Sequence, residues 1–135
     1  MSPSRPPGPR APSDTSVLVV DDDSMMRTLV VRTLKGDGYR VWSAGGAAEA
    51  RTVLAGLNGP LDLVLTDVAM PGGMGPELAA EIRRAHPRVR VLYMSSYTRE
   101  DLRGHGIDLT QGTLLAKPFM PADLLAQVRA VLGAP

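Results

Sequence analysis

Hydrophobic residues in this chain come in short dense runs, separated by stretches in which they recur every third or fourth position. The runs "SVLVVD" (16–21), "YRVWSA" (39–44), "LDLVLTD" (61–67), "RVRVLYMS" (88–95) and "GTLLAK" (112–117) are strand-length, rich in Val and Leu, and mostly not alternating. That pattern predicts strands covered on both faces. Between the runs the period changes. Met26, Leu29, Val30, Thr33 and Leu34 fall at i, i+3, i+4, i+7 and i+8, which predicts a helix, with Gly36 placed to stop it. A second helix, weaker and rich in alanine, is expected over Ala47 to Leu57. Pro76 suits the first turn of a third helix through Leu78 and Ile82, and Pro121 that of a last one carrying Leu124, Leu125, Val128, Val131 and Leu132. The segment "YTREDLRGHG" (97–106) predicts a short helix without a clear apolar face. Five β-α units joined by right-handed crossovers make a small doubly wound α/β sandwich.

Composition narrows the class. With 135 residues, 44% of them hydrophobic, the chain has enough for one globular domain with a core and too little for two. The net charge is +1 and the Lys and Arg are dispersed, so no basic stripe marks a nucleic-acid footprint and no direct nucleic-acid partner is expected. Without cysteine, disulfides and thiolate metal sites are excluded. No apolar stretch approaches the ~20 residues that a membrane span needs, so no membrane partner is expected and a cytoplasmic location fits. The first fifteen residues carry five prolines and hardly anything to bury. They read as a disordered lead or linker (1–15) before a single domain (16–133).

In doubly wound folds, ligands bind beyond the carboxyl ends of the strands, where strand order reverses. The first strand ends in Asp21, Asp22 and Asp23, the third in Asp67, the fourth in Ser95 and Ser96, and the fifth in Lys117 and Pro118. Two carboxylates ~4 Å apart repel by roughly 4 kcal/mol at an effective dielectric of 20, so such a cluster needs cations to offset it. Lys117 supplies one charge and a hard divalent ion the rest. Carboxylates with a carbonyl and waters suit Mg²⁺, which usually takes phosphate oxygens as well. An aspartate held there, with a lysine and a hydroxyl nearby, is arranged to attack phosphorus and stabilise the transferred group.

These residues resemble the receiver domains of bacterial two-component response regulators, over roughly Ser16 to Leu132. "VLVVDDDSMMR" is similar to the acidic first loop, "LVLTDVAMPGGMG" to the phosphoacceptor loop, "VLYMSSYT" to the switch-hydroxyl strand and "LLAKPF" to the Lys-Pro loop. The wording of "VLYMSSYT" and "AKPFMPADLLAQVRAVL" is especially like C-terminal receivers of hybrid sensor histidine kinases. The resemblance implies a flavodoxin-like five-stranded parallel sheet, order 2-1-3-4-5, with helices on both faces. It implies Asp67 as phosphoacceptor, Ser95 as switch hydroxyl and Lys117 as partner of the phosphoryl oxygen, with a cis bond before Pro118. Asp21, Asp22, Asp67 and the carbonyl of Ala69 would hold Mg²⁺. A sensor histidine kinase or phosphotransfer protein would donate the phosphoryl group, and an unidentified effector protein would read it. The domain would be a signalling phosphoacceptor that promotes only its own phosphorylation and dephosphorylation.

Plainer roles are expected elsewhere. Asp23 reads as a helix cap, the methionines Met26, Met70, Met74 and Met94 as packing, His86 and His105 as surface residues, and Trp42 as partial core at a sheet edge. The sequence also departs from the family pattern. Leu114 stands three before Lys117, often an aromatic, and Met120 stands where Ser or Thr commonly caps the last helix. The resemblance implies that Ala69 and Tyr97, each two past a site residue, would flank the path of the hydrolytic water. Two other readings fit the same residues. Asp21, Asp22 and Asp23 also spell the Asp-x-Asp of Mg²⁺-dependent phosphatases of the haloacid-dehalogenase type, although only Asp123 follows Lys117. A pseudo-receiver that binds partners without phosphorylation is the other.

Overall fold

The computed structural model describes residues 12–70, 72–107, 109 and 113–133. Five strands, β1 (Ser16–Val20), β2 (Arg40–Ala44), β3 (Leu63–Asp67), β4 (Arg90–Ser95) and β5 (Thr113–Ala116), alternate with five helices. The helices are α1 (Ser24–Gly36), α2 (Ala47–Ala55), α3 (Gly75–Ala85), α4 (Arg99–Gly104) and α5 (Pro121–Gly133). All strand pairs are parallel and the order is β2-β1-β3-β4-β5, the doubly wound sheet that the unbroken apolar runs predict.

Each central strand divides its side chains between two cores. Leu18, Val20, Val64, Val91 and Tyr93 join Ala47 and Ala50 of α2, Leu78, Ala79 and Ile82 of α3, and Leu102 of α4. Val17, Val19, Leu63, Leu65, Leu92 and Met94 face the other way, onto Val30 and Leu34 of α1 and Leu124 and Val128 of α5. Burial on both faces is why most positions of these strands are apolar. Four methionines pack as expected, Met70 and Met94 in the cores and Met26 and Met74 against them, whereas Met25 and Met120 are exposed. Trp42 sits mid-strand in β2, at a sheet edge, with the Arg40 guanidinium 5.4 Å above its ring.

Several local features differ from the sequence expectation. Gly36 does not stop α1; it is its last residue, and Gly38 makes the turn with φ +96°. That left-handed conformation lets the Gly38 and Tyr39 N–H groups reach back to the carbonyls of Lys35 and Leu34, a closure only glycine adopts without strain. Helix α5 lacks a hydroxyl cap, but Asp123 Oδ2 accepts the Met120 N–H at 3.0 Å, the reciprocal half of a capping box. His86 is half-buried rather than on the surface, because its Nδ1 accepts the Leu61 N–H at 3.2 Å. Of the expected lead, residues 1–11 lie outside the described residues. Pro12–Asp14 form a 3-10 turn and Thr15 is buried, its carbonyl accepting the Arg40 N–H at 3.0 Å.

Candidate functional site

Strand register decides which side chains meet. Val20 pairs with Thr66, Asp67 with Met94, and Ser95 with Ala116, so Asp21, Asp67, Ser95 and Lys117 leave the sheet at one edge. Asp21 is fully buried. Its N–H donates to the Ala44 carbonyl at 3.1 Å, its Oδ1 accepts the Asp23 N–H at 2.9 Å, and its Oδ2 lies 3.1 Å from Lys117 Nζ. The same ammonium lies 2.9 Å from Asp67 Oδ2. Asp22 is exposed, and its carboxylate completes a group in which ligand oxygens of Asp21, Asp22 and Asp67 all lie within 4.8 Å of one another. Asp23 stands outside this group and caps α1, accepting the Met25 and Met26 N–H groups at 3.0 and 3.2 Å.

The electrostatics follow from burial and crowding. Burial pushes the Asp21 carboxyl above the ordinary aspartate value, and the nearby Asp67 charge adds to this; the Asp23 N–H and Lys117 pull the other way without prevailing. For Lys117, burial works to lower the pKa, but hydrogen bonds to Asp67 and Asp21 outweigh it and hold the ammonium above its usual range. One lysine thus serves two carboxylates, with a third beside them. An all-oxygen, multiply anionic donor set of this size fits a hard divalent cation.

The turns after β3 and β4 are held by backbone contacts. Ala69, exposed, directs its N–H toward Asp67 Oδ1 at 3.4 Å. Ser95 is buried, and its Oγ accepts the Tyr97 N–H at 2.9 Å, while its carbonyl accepts the Lys117 N–H at 2.8 Å. The Lys117–Pro118 bond is cis. Asp123, at the start of α5, lies outside the acidic group that the phosphatase reading would need it to join.

Two contributors escaped the sequence reading. Gly75 opens α3 so close to β3 that a Cβ there would collide with the Asp67 carbonyl oxygen. Arg27 folds back from the first turn of α1 to donate Nη1 to the Asp21 carbonyl at 2.7 Å. A cation there opposes the helix dipole, and that was the available signal that Arg27 has a specific partner.

The response regulator receiver domain model matches residues 17–129. The chain belongs to that family. It is 35% identical over 118 residues to the sensor kinase CckA of Brucella abortus, covering 87% of this chain and 12% of that protein. It is also 35% identical over 121 residues to the protein PetR of Rhodobacter capsulatus, covering 89% and 49%. The chain therefore spans about half, or much less, of the length of these curated relatives. Among solved structures, the chemotaxis protein CheY4 of Vibrio cholerae superposes with a TM-score of 0.76 at 28% identity, covering 87% of this chain and 98% of that one. The receiver domain of the hybrid histidine kinase CckA does so with 0.73 at 30%, covering 87% and 98%. The expected likeness to hybrid-kinase receivers is met by CckA; the relatives also include transcriptional regulators such as PhoB of Pseudomonas aeruginosa. No helix among the described residues is long and apolar enough to cross a membrane.

Proposed function

We propose that this receiver domain takes a phosphoryl group on Asp67 from a phosphohistidine of a sensor histidine kinase or phosphotransfer protein, and presents the altered surface to an effector protein. The observation that carries the reading is Asp67 itself, at the end of β3, bonded to Lys117 at 2.9 Å and within cation-sharing reach of Asp21 and Asp22. An Asp67 carboxylate oxygen attacks phosphorus and the P–N bond to the imidazole breaks. The leaving nitrogen keeps the bonding electrons, and an acyl phosphate forms. Lys117 stays at the site and pairs with a phosphoryl oxygen as negative charge grows. The Ser95 hydroxyl turns to another phosphoryl oxygen once it is in place.

Asp21, Asp22, Asp67 and the carbonyl of Ala69 would hold Mg²⁺, whose charge would offset the carboxylates and the incoming phosphate. We place the functional domain at residues 16–133, in the cytoplasm where its kinase partner would reach it. The domain acts as a signalling phosphoacceptor, with turnover limited to gain and loss of its own phosphoryl group.

Incubation with acetyl phosphate and Mg²⁺, followed by intact mass and peptide mapping, tests this. One phosphoryl group on Asp67, labile to hydroxylamine and absent without Mg²⁺ or in Asp67→Asn, is expected. Undiminished labelling of Asp67→Asn would overturn the assignment, and steady hydrolysis of a generic phosphate ester would favour a phosphatase instead.

A further inference from the structure

Asp21 is tied at every polar group, and one tie comes from outside the acidic cluster. Its N–H, Oδ1 and Oδ2 are engaged by Ala44, Asp23 and Lys117, and its carbonyl by Arg27 at 2.7 Å. The half-buried guanidinium is itself seated. A Cβ on Gly45 would stand 3.4 Å from Arg27 Nη1 and 3.3 Å from Glu49 Oε2, and that carboxylate accepts the Gly45 N–H at 2.9 Å. The first turn of α1 and the turn from β2 into α2 thus converge behind the acidic loop, with glycine leaving just enough room.

We propose that Arg27 is a positioning residue for cation capture: seated against Gly45 beside Glu49, it pins the Asp21 carbonyl and so keeps the Asp21 and Asp22 carboxylates gathered toward Asp67. The inference rests on the reading of this cluster as the Mg²⁺ and phosphoryl site. Two carboxylates that share one lysine, with a third beside them, repel one another, and the peptide between Asp21 and Asp22 is the joint by which they can separate. Fixing one end of that peptide through a charge-assisted hydrogen bond removes much of this freedom before the cation arrives. Released, the loop must be ordered by the cation at the expense of affinity.

Mg²⁺ titration calorimetry on the full chain, alongside acetyl phosphate labelling over a range of Mg²⁺ concentrations, tests the role. Arg27→Met is expected to weaken Mg²⁺ binding about tenfold, as loss of a supporting contact to a metal ligand typically does. Its labelling should return when Mg²⁺ is raised, and Arg27→Lys should recover part of the affinity. Gly45→Ala, whose methyl group presses on the Glu49 carboxylate and comes into contact with the guanidinium, should weaken binding in the same direction by less, and it decides the matter if Arg27→Met does not fold. Unchanged Mg²⁺ affinity in these variants, or a labelling defect that no Mg²⁺ concentration restores, would overturn the positioning role. A parent chain that shows no Mg²⁺-dependent labelling would instead overturn the reading of the site itself.

Discussion

Lys117 Nζ stands 2.9 Å from Asp67 Oδ2, although the two residues lie 50 positions apart along the chain. Both side chains are only about one-sixth exposed, and Asp21, the other partner of the ammonium, is not exposed at all. Removing the cation therefore strands buried negative charge. Lys117→Met is expected to lower stability by about 3 kcal/mol. Adding Asp21→Asn to the same chain should restore a large part of the loss, because the amide needs no counter-ion. Urea unfolding of the two single variants and the double variant measures the coupling. Additive effects would show that the pair contributes little.

Crowding also sets the response to cations. A ligand that binds only the folded state stabilises it by mass action, about 2.7 kcal/mol at a hundredfold excess over Kd. The melting temperature of the parent should rise with millimolar Mg²⁺. Asp22 is exposed, so Asp22→Ala should change apo stability by only about 0.5 kcal/mol while losing most of the Mg²⁺ response. An equal Mg²⁺ shift in both proteins would place the ion elsewhere.

Much of this site was legible because its parts lie at strand ends. Once the apolar runs were read as parallel strands, Asp21, Asp67, Ser95 and Lys117 had to share an edge, whatever lay between them in sequence. The three aspartates divide as expected, with Asp21 and Asp22 in the cluster and Asp23 spent on the α1 cap. What stayed hidden depends on where long or flexible groups fold back. Gly36 and Gly38 look equivalent in sequence, and only the path to Tyr39 selects which turns left-handed. The reach of Arg27 to the Asp21 carbonyl is a long side chain folding back on the backbone, and the Asp123 bond to the Met120 N–H is half of a capping box whose hydroxyl half is missing, so the usual sequence signature is incomplete. The role of His86 as an acceptor for Leu61 depends on packing at the opposite end of the strands.

The close approach of α3 to β3 gives a sharper structural expectation. Gly75 donates its N–H to the Val68 carbonyl at 2.8 Å, and an added Cβ would collide with the Asp67 carbonyl oxygen and lie 3.2 Å from the Val68 Cα. Backbone on both sides leaves nowhere for a methyl group to go. Gly75→Ala is expected to cost about 1–3 kcal/mol, and labelling should slow as Asp67 shifts. Gly36→Ala is the control: nothing lies within 4 Å of its Cβ position, and alanine in a helix should raise stability by roughly 0.8 kcal/mol. Equal urea midpoints for the two variants would contradict the packing account.

Output depends on how the site reaches the surface. Ser95 Oγ is already an acceptor for the Tyr97 N–H at 2.9 Å, so its own hydrogen is the group left to donate to a phosphoryl oxygen. Drawing Ser95 toward Asp67 therefore pulls the Tyr97 backbone with it, and the exposed Tyr97 ring moves at the head of α4. Leu114, half-buried against the core beside Tyr93, has no ring to swing. The switch in this chain is thus expected to run through the Ser95–Tyr97 turn, a small two-state element biased by local charge, and not through an aromatic rotamer on β5. Amide NMR shifts with and without the phosphoryl mimic beryllofluoride test the route. Changes should spread from Asp67 through Ser95 and Tyr97 to Leu114, and Ser95→Ala should confine them to the pocket while leaving the Asp67 amide responsive. Distant shifts that persist in Ser95→Ala would mean that the coupling travels another way, for example through Lys117, which bonds Asp67 and follows β5, or through the β4–β5 pairing.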